Sequence, residues 1–223
     1  MARGRHPTRI RIVPPDEQTR ANYLCCWYGR DLHKEPHRFP GLTSPELFGN
    51  DRPLEIDFGC GTGVLACGRA RRFSEVNVVG IDRSQKPLYC AVRDAALLRL
   101  ENIRFVRGNF FDMLPLLRPE TVLSAYYLFP NPPKDYLKER ANARRKRFLQ
   151  SVHAALVPGG RFFFATDSPE FFGCMNSILE NDMRYKTLDF ETAGADIFTG
   201  YRRLWKERGK SVKSFVFEKV NDY

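Results

Sequence analysis

The sequence predicts an α/β fold in which helices cover both faces of a mostly parallel sheet. Three observations point there. From residue 54 onward, short apolar runs alternate with stretches whose apolar residues recur at helical spacing. The first run, Leu54-Glu55-Ile56-Asp57-Phe58, passes straight into Gly59-Cys60-Gly61-Thr62-Gly63, a turn with a glycine at every second position. The next run, Val78-Val79-Gly80-Ile81-Asp82, closes on an acid. Strict β–α alternation demands parallel strands. Right-handed crossovers then bring every strand's carboxyl end to one edge, where ligands bind near the point at which strand order reverses.

Each element follows from its residues. Strand 54–58 leads through the glycine turn to a helix over 63–73, and strand 76–81 leads to a helix over 84–100. Leu88, Ala91, Val92, Ala95 and Leu98 share one face of that second helix. A third strand, 103–106, precedes Gly108-Asn109-Phe110-Phe111-Asp112. Residues 121–129 are a nearly unbroken apolar and aromatic run, as expected of a strand buried on both faces. Phe148, Leu149, Val152 and Leu156 mark a helix that stops near Pro158-Gly159-Gly160. Strand 161–166 ends at Asp167, 169–181 reads as helix, and 185–190 with 214–220 reads as a closing strand pair.

Ahead of this domain over 54–223, residues 1–53 read as a basic arm and capping segment. Arg3, Arg5, Arg9 and Arg11 precede any acid, which suits either solvent or phosphates. Tyr23, Leu24, Trp27 and Tyr28 predict a short helix capping the sheet, with loops around Pro36, Pro40 and Pro45.

Composition narrows the classes. A chain of 223 residues with 43% hydrophobic content suits one domain with a modest extension. No run of eighteen apolar residues exists to span a membrane, and the basic, polar N-terminus lacks a secretory leader's apolar core. Six cysteines without Cys-x-x-Cys spacing favour reduced thiols in a cytoplasmic protein over a zinc site or a disulfide framework, and no metal is expected. The formal charge of +10 points to a polyanionic partner. Between Lys134 and Arg147, seven bases face two acids, so half of that excess, +5, lies in fourteen residues. Such a stretch is either a solvated helix face or a surface that neutralises phosphates.

The expected rim gathers the candidate residues. Gly59, Gly61 and Gly63 let backbone amides approach a ligand where a Cβ would collide. Glu55 ahead of them, with the tight glycine spacing, resembles motif one of the S-adenosylmethionine (SAM) methyltransferases. The segment from Glu55 to Gly63 then cradles the methionine end, and Asp82, about twenty residues on, holds the ribose. Asn109 and Phe110 stand where adenine could be hydrogen-bonded and packed. Phe129-Pro130-Asn131-Pro132-Pro133-Lys134 follows the longest buried strand, a rigid turn that places Asn131 toward an acceptor.

These motifs together are similar to the tRNA (guanine-N7-)-methyltransferase family. The resemblance covers roughly 54–220: the glycine turn, Gly80-Ile81-Asp82, Asn102-Ile103-Arg104-Phe105-Val106-Arg107-Gly108, the proline turn with its basic tail, Leu156-Val157-Pro158-Gly159-Gly160, Phe164-Ala165-Thr166-Asp167, and Thr199-Gly200-Tyr201-Arg202. It implies a Rossmann-like class I SAM-dependent methyltransferase fold, a mostly parallel seven-stranded sheet with a C-terminal antiparallel pair. The activity implied is methyl transfer from SAM to N7 of a variable-loop guanine in tRNA. By the same resemblance Glu55 and Asp82 bind SAM, while Lys134, Asp167 and Thr199 handle the guanine and its tRNA. Asn131, Lys134 and Asp167 form the catalytic group. A substrate arginine matches Arg140, with Arg144 and Arg145 as alternatives, and Arg202 lies in the last motif. A protein partner subunit is left open.

The chain departs from the family's pattern at several positions. The family has Gly where Asp57 stands, Asp where Asn109 and Asn131 stand, Glu where Arg202 stands, and a tryptophan between the prolines of the turn. Three carboxylates are thus missing around one pocket. Other acceptors stay in view: an exocyclic amine, because Asn131-Pro132-Pro133 resembles the amino-group methyltransferase signature, or a small molecule. A non-catalytic RNA-binding protein on a vestigial SAM fold is the alternative from a different class.

Overall fold

A computed structural model describes residues 12–132, 136–180, 185–188 and 211–220. Eight strands form one sheet in the order β1-β4-β3-β2-β5-β6-β8-β7. These are β1 (Leu24–Cys26), β2 (Leu54–Phe58), β3 (Asn77–Asp82), β4 (Ile103–Arg107), β5 (Val122–Leu128), β6 (Leu156–Thr166), β7 (Tyr185–Leu188) and β8 (Lys213–Lys219). The first six pair in parallel, β8 runs antiparallel to β6, and β7 runs antiparallel to β8. Strand order therefore reverses between β2 and β5.

Seven helices accompany the sheet among the described residues: α1 (Glu17–Tyr23), α2 (Gly29–Lys34), α3 (Ser44–Phe48), α4 (Val64–Arg72), α5 (Gln85–Leu97), α6 (Glu139–Ala155) and α7 (Pro169–Leu179). Side chains alternate along β2. Leu54, Ile56 and Phe58 enter the large core on one face, with Phe148 and Val152 of α6 and Phe171 and Met175 of α7. The opposite face carries Glu55 and Asp57. There α4 and α5 bury Ala66, Cys67, Leu88, Ala91 and Val92 against Val78 and Phe105.

The expected helix around residues 23–28 is corrected. Leu24–Cys26 is a strand that pairs with β4, Leu24 against Phe105 and Cys26 against Arg107, and makes the sheet eight-stranded rather than seven-stranded. Trp27 and Leu32, which follow it, lie in the large core with Leu42. Gly108 allows this close docking: a Cβ there would sit 2.4 Å from the Trp27 carbonyl oxygen and 2.2 Å from Met113 Cε. The other expected strands and helices appear within a few residues of their predicted bounds, β6 beginning at Leu156 rather than 161.

Candidate active site

The tips of β2 and β3 are fastened to each other. Gly59 N and Cys60 N both donate to the Ile81 carbonyl, at 2.7 and 3.0 Å. Gly61 N donates to Asp82 Oδ2 at 3.0 Å, and Ser84 N donates to Asp82 Oδ1 at 2.7 Å. Asp82 is thereby fixed in place while each oxygen keeps a lone pair for a further donor. Gly63, with φ of +73°, turns the chain into α4, and a Cβ there would lie 2.6 Å from that of Ala91. Over Gly59 and Gly61 a Cβ would meet nothing within 4 Å. Among the described residues, no side chain closes over these two glycines.

Two acids stand on β2 below this turn, in different surroundings. Glu55 is 1% exposed and forms a two-pronged ion pair with Arg69 of α4, Nε to Oε2 at 2.8 Å and Nη2 to Oε1 at 2.5 Å. The Arg69 guanidinium also lies 4.2 Å from the Phe73 ring centroid. Both carboxylate oxygens of Glu55 are thus tied to α4. Asp57, 4% exposed, was absent from the candidate residues. Burial, then the charges of Asp82 and Glu55, push its pKa up to about 7. The period-two spacing from Glu55 was the available signal.

Next along the edge, Asn109 caps a short 3-10 turn over Phe110–Asp112. Its Oδ1 accepts from Phe111 N at 3.3 Å and its Nδ2 donates to Asp112 Oδ2 at 3.1 Å. Phe110 stacks on Phe111 at 4.4 Å and touches Phe58, Tyr127 and Phe148, so its ring is a half-buried floor of the rim.

On the other side of the reversal point, β5 ends at Leu128 and is followed by Phe129, a non-glycine residue with φ of +49° whose N–H donates to the Ala165 carbonyl at 2.7 Å. This strained bend presents Pro130 and the exposed Asn131 at the carboxyl edge. Asp167 is half-buried at the end of β6, next to the fully buried Thr166. Lys134, Thr199 and Arg202 lie outside the described residues.

The cations of α6 divide. Arg140, Arg144, Lys146 and Arg147 are exposed, and the Arg144 guanidinium lies 4.1 Å from the Phe111 ring centroid. Arg145 does not share that surface. It is 7% exposed, donating from Nη1 to the Tyr136 carbonyl at 2.5 Å and from Nη2 to Asn142 Oδ1 at 3.4 Å. Its guanidinium ties the start of α6 to the preceding turn.

The six cysteines are free thiols, and burial drives the pKa of Cys60 far up and that of Cys67 to about 12. No group of metal-ligating side chains occurs among the described residues, and no described helix is long and apolar enough to cross a membrane.

A family model described as "Putative methyltransferase" matches residues 51–215. A tRNA (guanine-N(7)-)-methyltransferase of Rubrobacter xylanophilus is 41% identical over 93% of this chain and 95% of its own length. The enzyme of the same name from Chloroherpeton thalassium is 34% identical over 97% and 98%. The chain belongs to the tRNA (guanine-N7-)-methyltransferase family. As a family member it is a methyltransferase, and its fold agrees with solved structures. A 16S rRNA (adenine(1408)-N(1))-methyltransferase variant from Catenulisporales acidiphilia, solved with SAM, aligns with a TM-score of 0.53 at 18% identity, over 78% of this chain and 88% of that one. An rRNA methylase from Streptococcus thermophilus aligns with a TM-score of 0.54 at 13% identity, over 77% and 89%.

Proposed function

We propose that this methyltransferase carries a methyl group from SAM to N7 of a guanine in tRNA, as a cytoplasmic enzyme. The observation that carries the cofactor half is the open glycine turn, hydrogen-bonded through Gly61 to a carboxylate, Asp82, whose remaining lone pairs suit ribose hydroxyls. The acceptor half is supported by relatives that bear this activity in their names over nearly the whole chain. SAM supplies a methyl group on a positively charged sulfur, which makes it electrophilic.

The chain's own residues then have limited tasks. Guanine N7 offers a lone pair and no proton, so alignment matters more than a general base. Asn131, lifted by the bend at Phe129, and Asp167 flank the acceptor side, with Lys134 between them in sequence. The alkylated ring gains positive charge, and Asp167 is the carboxylate left to stabilise it where the family places more. Arg140, Arg144 and Arg147 take phosphates of the tRNA, and Thr199 and Arg202 complete the substrate contacts that the resemblance assigns. Asn109 and Phe110 border the adenine.

Incubation with unmodified tRNA and methyl-labelled SAM, followed by nucleoside analysis, tests the proposal. Labelled 7-methylguanosine is expected. Label on an exocyclic amine, or none on any tRNA despite SAM binding, overturns the acceptor assignment.

A further inference from the structure

An open cavity lies at the opposite edge of the sheet from the glycine turn, where α4 and α5 end and β2 and β4 begin. Its volume is about 420 Å³, within the roughly 300–1,000 Å³ of small-molecule sites. Arg52, Arg71 and Arg99 line it, with Ser74 and two acids, Glu75 and Glu101. Arg52 Nη1 donates to the Ser74 carbonyl at 3.1 Å, which sets this side chain across the turn after α4. Among the described residues, the guanidiniums of Arg71 and Arg99 make no hydrogen bond and no ion pair, although two carboxylates share the cavity.

Arginines here have an ordinary task, to offset the partial negative charge at helix carboxyl ends. Carbonyls at both ends, however, already have amide donors. The buried Asn102 donates from Nδ2 to the carbonyls of Ala70, Phe73 and Val76 at 3.0, 3.0 and 2.7 Å. At the end of α5, Leu100 N donates to the Ala95 carbonyl and Arg99 N to the Ala96 carbonyl, both at 3.0 Å. That pair of bonds closes a helix through one left-handed residue, a position that strongly favours glycine. Arginine holds it instead, with φ of +52°. Backbone strain is thus tolerated where it places a guanidinium on the cavity.

We propose that this cavity binds a phosphorylated nucleoside unit, its phosphate on Arg71 and Arg99 with Arg52 beside them, and its sugar hydroxyls donating to Glu75 or Glu101. Guanidiniums without carboxylate partners suit a phosphate, and carboxylates without cations suit hydroxyl donors. A free nucleotide and one residue of an RNA chain both offer that chemistry. The site is separate from the rim that takes SAM and the acceptor, and it stands without them.

Calorimetry on the full chain compares uridine 5′-monophosphate with uridine, with S-adenosylhomocysteine present to occupy the rim. Binding of tRNA across a salt series supplies the RNA arm. The variants are Arg71→Ser and Arg99→Gly, alone and together. Both positions are exposed and glycine suits the left-handed backbone at 99, so the variants should melt close to the wild type. For a free nucleotide, the monophosphate should bind at least about tenfold more tightly than uridine, each variant should weaken it about tenfold, and tRNA affinity should hold. For an RNA residue, the double variant should weaken tRNA binding about tenfold and lower its salt slope by about two phosphates' worth. Either pattern upholds the site and identifies the source. Uridine binding as tightly as its monophosphate overturns the phosphate assignment. Variants that change neither nucleotide nor tRNA binding overturn the site, and a lowered melting temperature alone would leave the arginines to the helix ends.

Discussion

The two halves of the rim are built by different means. On the β2–β3 side, backbone amides of the glycine turn, the Ile81 carbonyl and Oδ2 of Asp82 lock two strand tips together, with Glu55 and Asp57 buried beneath. On the β5–β6 side, one strained residue, an exposed Asn131 and a helix of solvent-facing arginines make the surface. The first half is set by the same hydrogen bonds and packing that hold the sheet together. The second is a set of projections whose identities can change without disturbing the core. A cofactor shared across a family suits the first kind of construction, and an acceptor that differs between enzymes suits the second. The departure at Asn131 falls on the acceptor side, in keeping with that division. Asn109 and Asp57 do not, and at Asp57 the change alters charge beneath the cofactor turn.

Four variants sharpen this contrast. The largest effect is expected for Glu55→Gln, which leaves the half-buried Arg69 guanidinium without its counter-charge. About 3–5 kcal/mol of stability should be lost in denaturant unfolding. A smaller loss, with weakened cofactor affinity at temperatures where the variant is folded, would instead make Glu55 a cofactor contact. Next come the arginines of α6. Reversing Arg144 and Arg147 to Glu should weaken tRNA binding by roughly 10- to 100-fold and flatten its salt dependence by about two phosphates' worth, with cofactor affinity unchanged. Arg145→Ala should lower the melting temperature and leave the salt slope alone. Equal salt slopes in the two variants would erase the distinction between them. The smallest effect is expected for Asn131→Asp, which restores a carboxylate near the product's positive ring. A rise of about tenfold in kcat/KM for guanine methylation is expected, and a fall would show that this turn serves a different acceptor.

Much of this was readable from residue order because the relevant physics is local. Glycines at alternate positions after an apolar strand, and an acid closing the next strand, fix a turn and a tip without reference to distant residues. What was missed depends on partners far along the chain. Arg69 claims Glu55 from fourteen residues away, and nothing within 54–63 reveals it. Helix phase held a clue: Arg69 follows Leu65 and Ala66 by four and three positions, on the buried face of α4. Arg145 likewise precedes Phe148, Leu149 and Val152 by three, four and seven, the spacing of an inward face, so periodicity alone set it apart from Arg144. Leu24–Cys26 is too short to display strand alternation, and the aromatic residues flanking it imitate helical spacing. Its pairing with β4, some eighty residues away, decided the outcome.

That three-residue strand has a consequence beyond its own contacts. β4 would otherwise present a row of unpaired amides and carbonyls at the margin of the sheet, a template on which a neighbouring molecule's strand could add. By occupying that margin with an edge of only three residues, Leu24–Cys26 keeps the sheet from growing from one molecule to the next in that direction. The chain's amino-terminal segment thus guards against aggregation as well as completing the sheet.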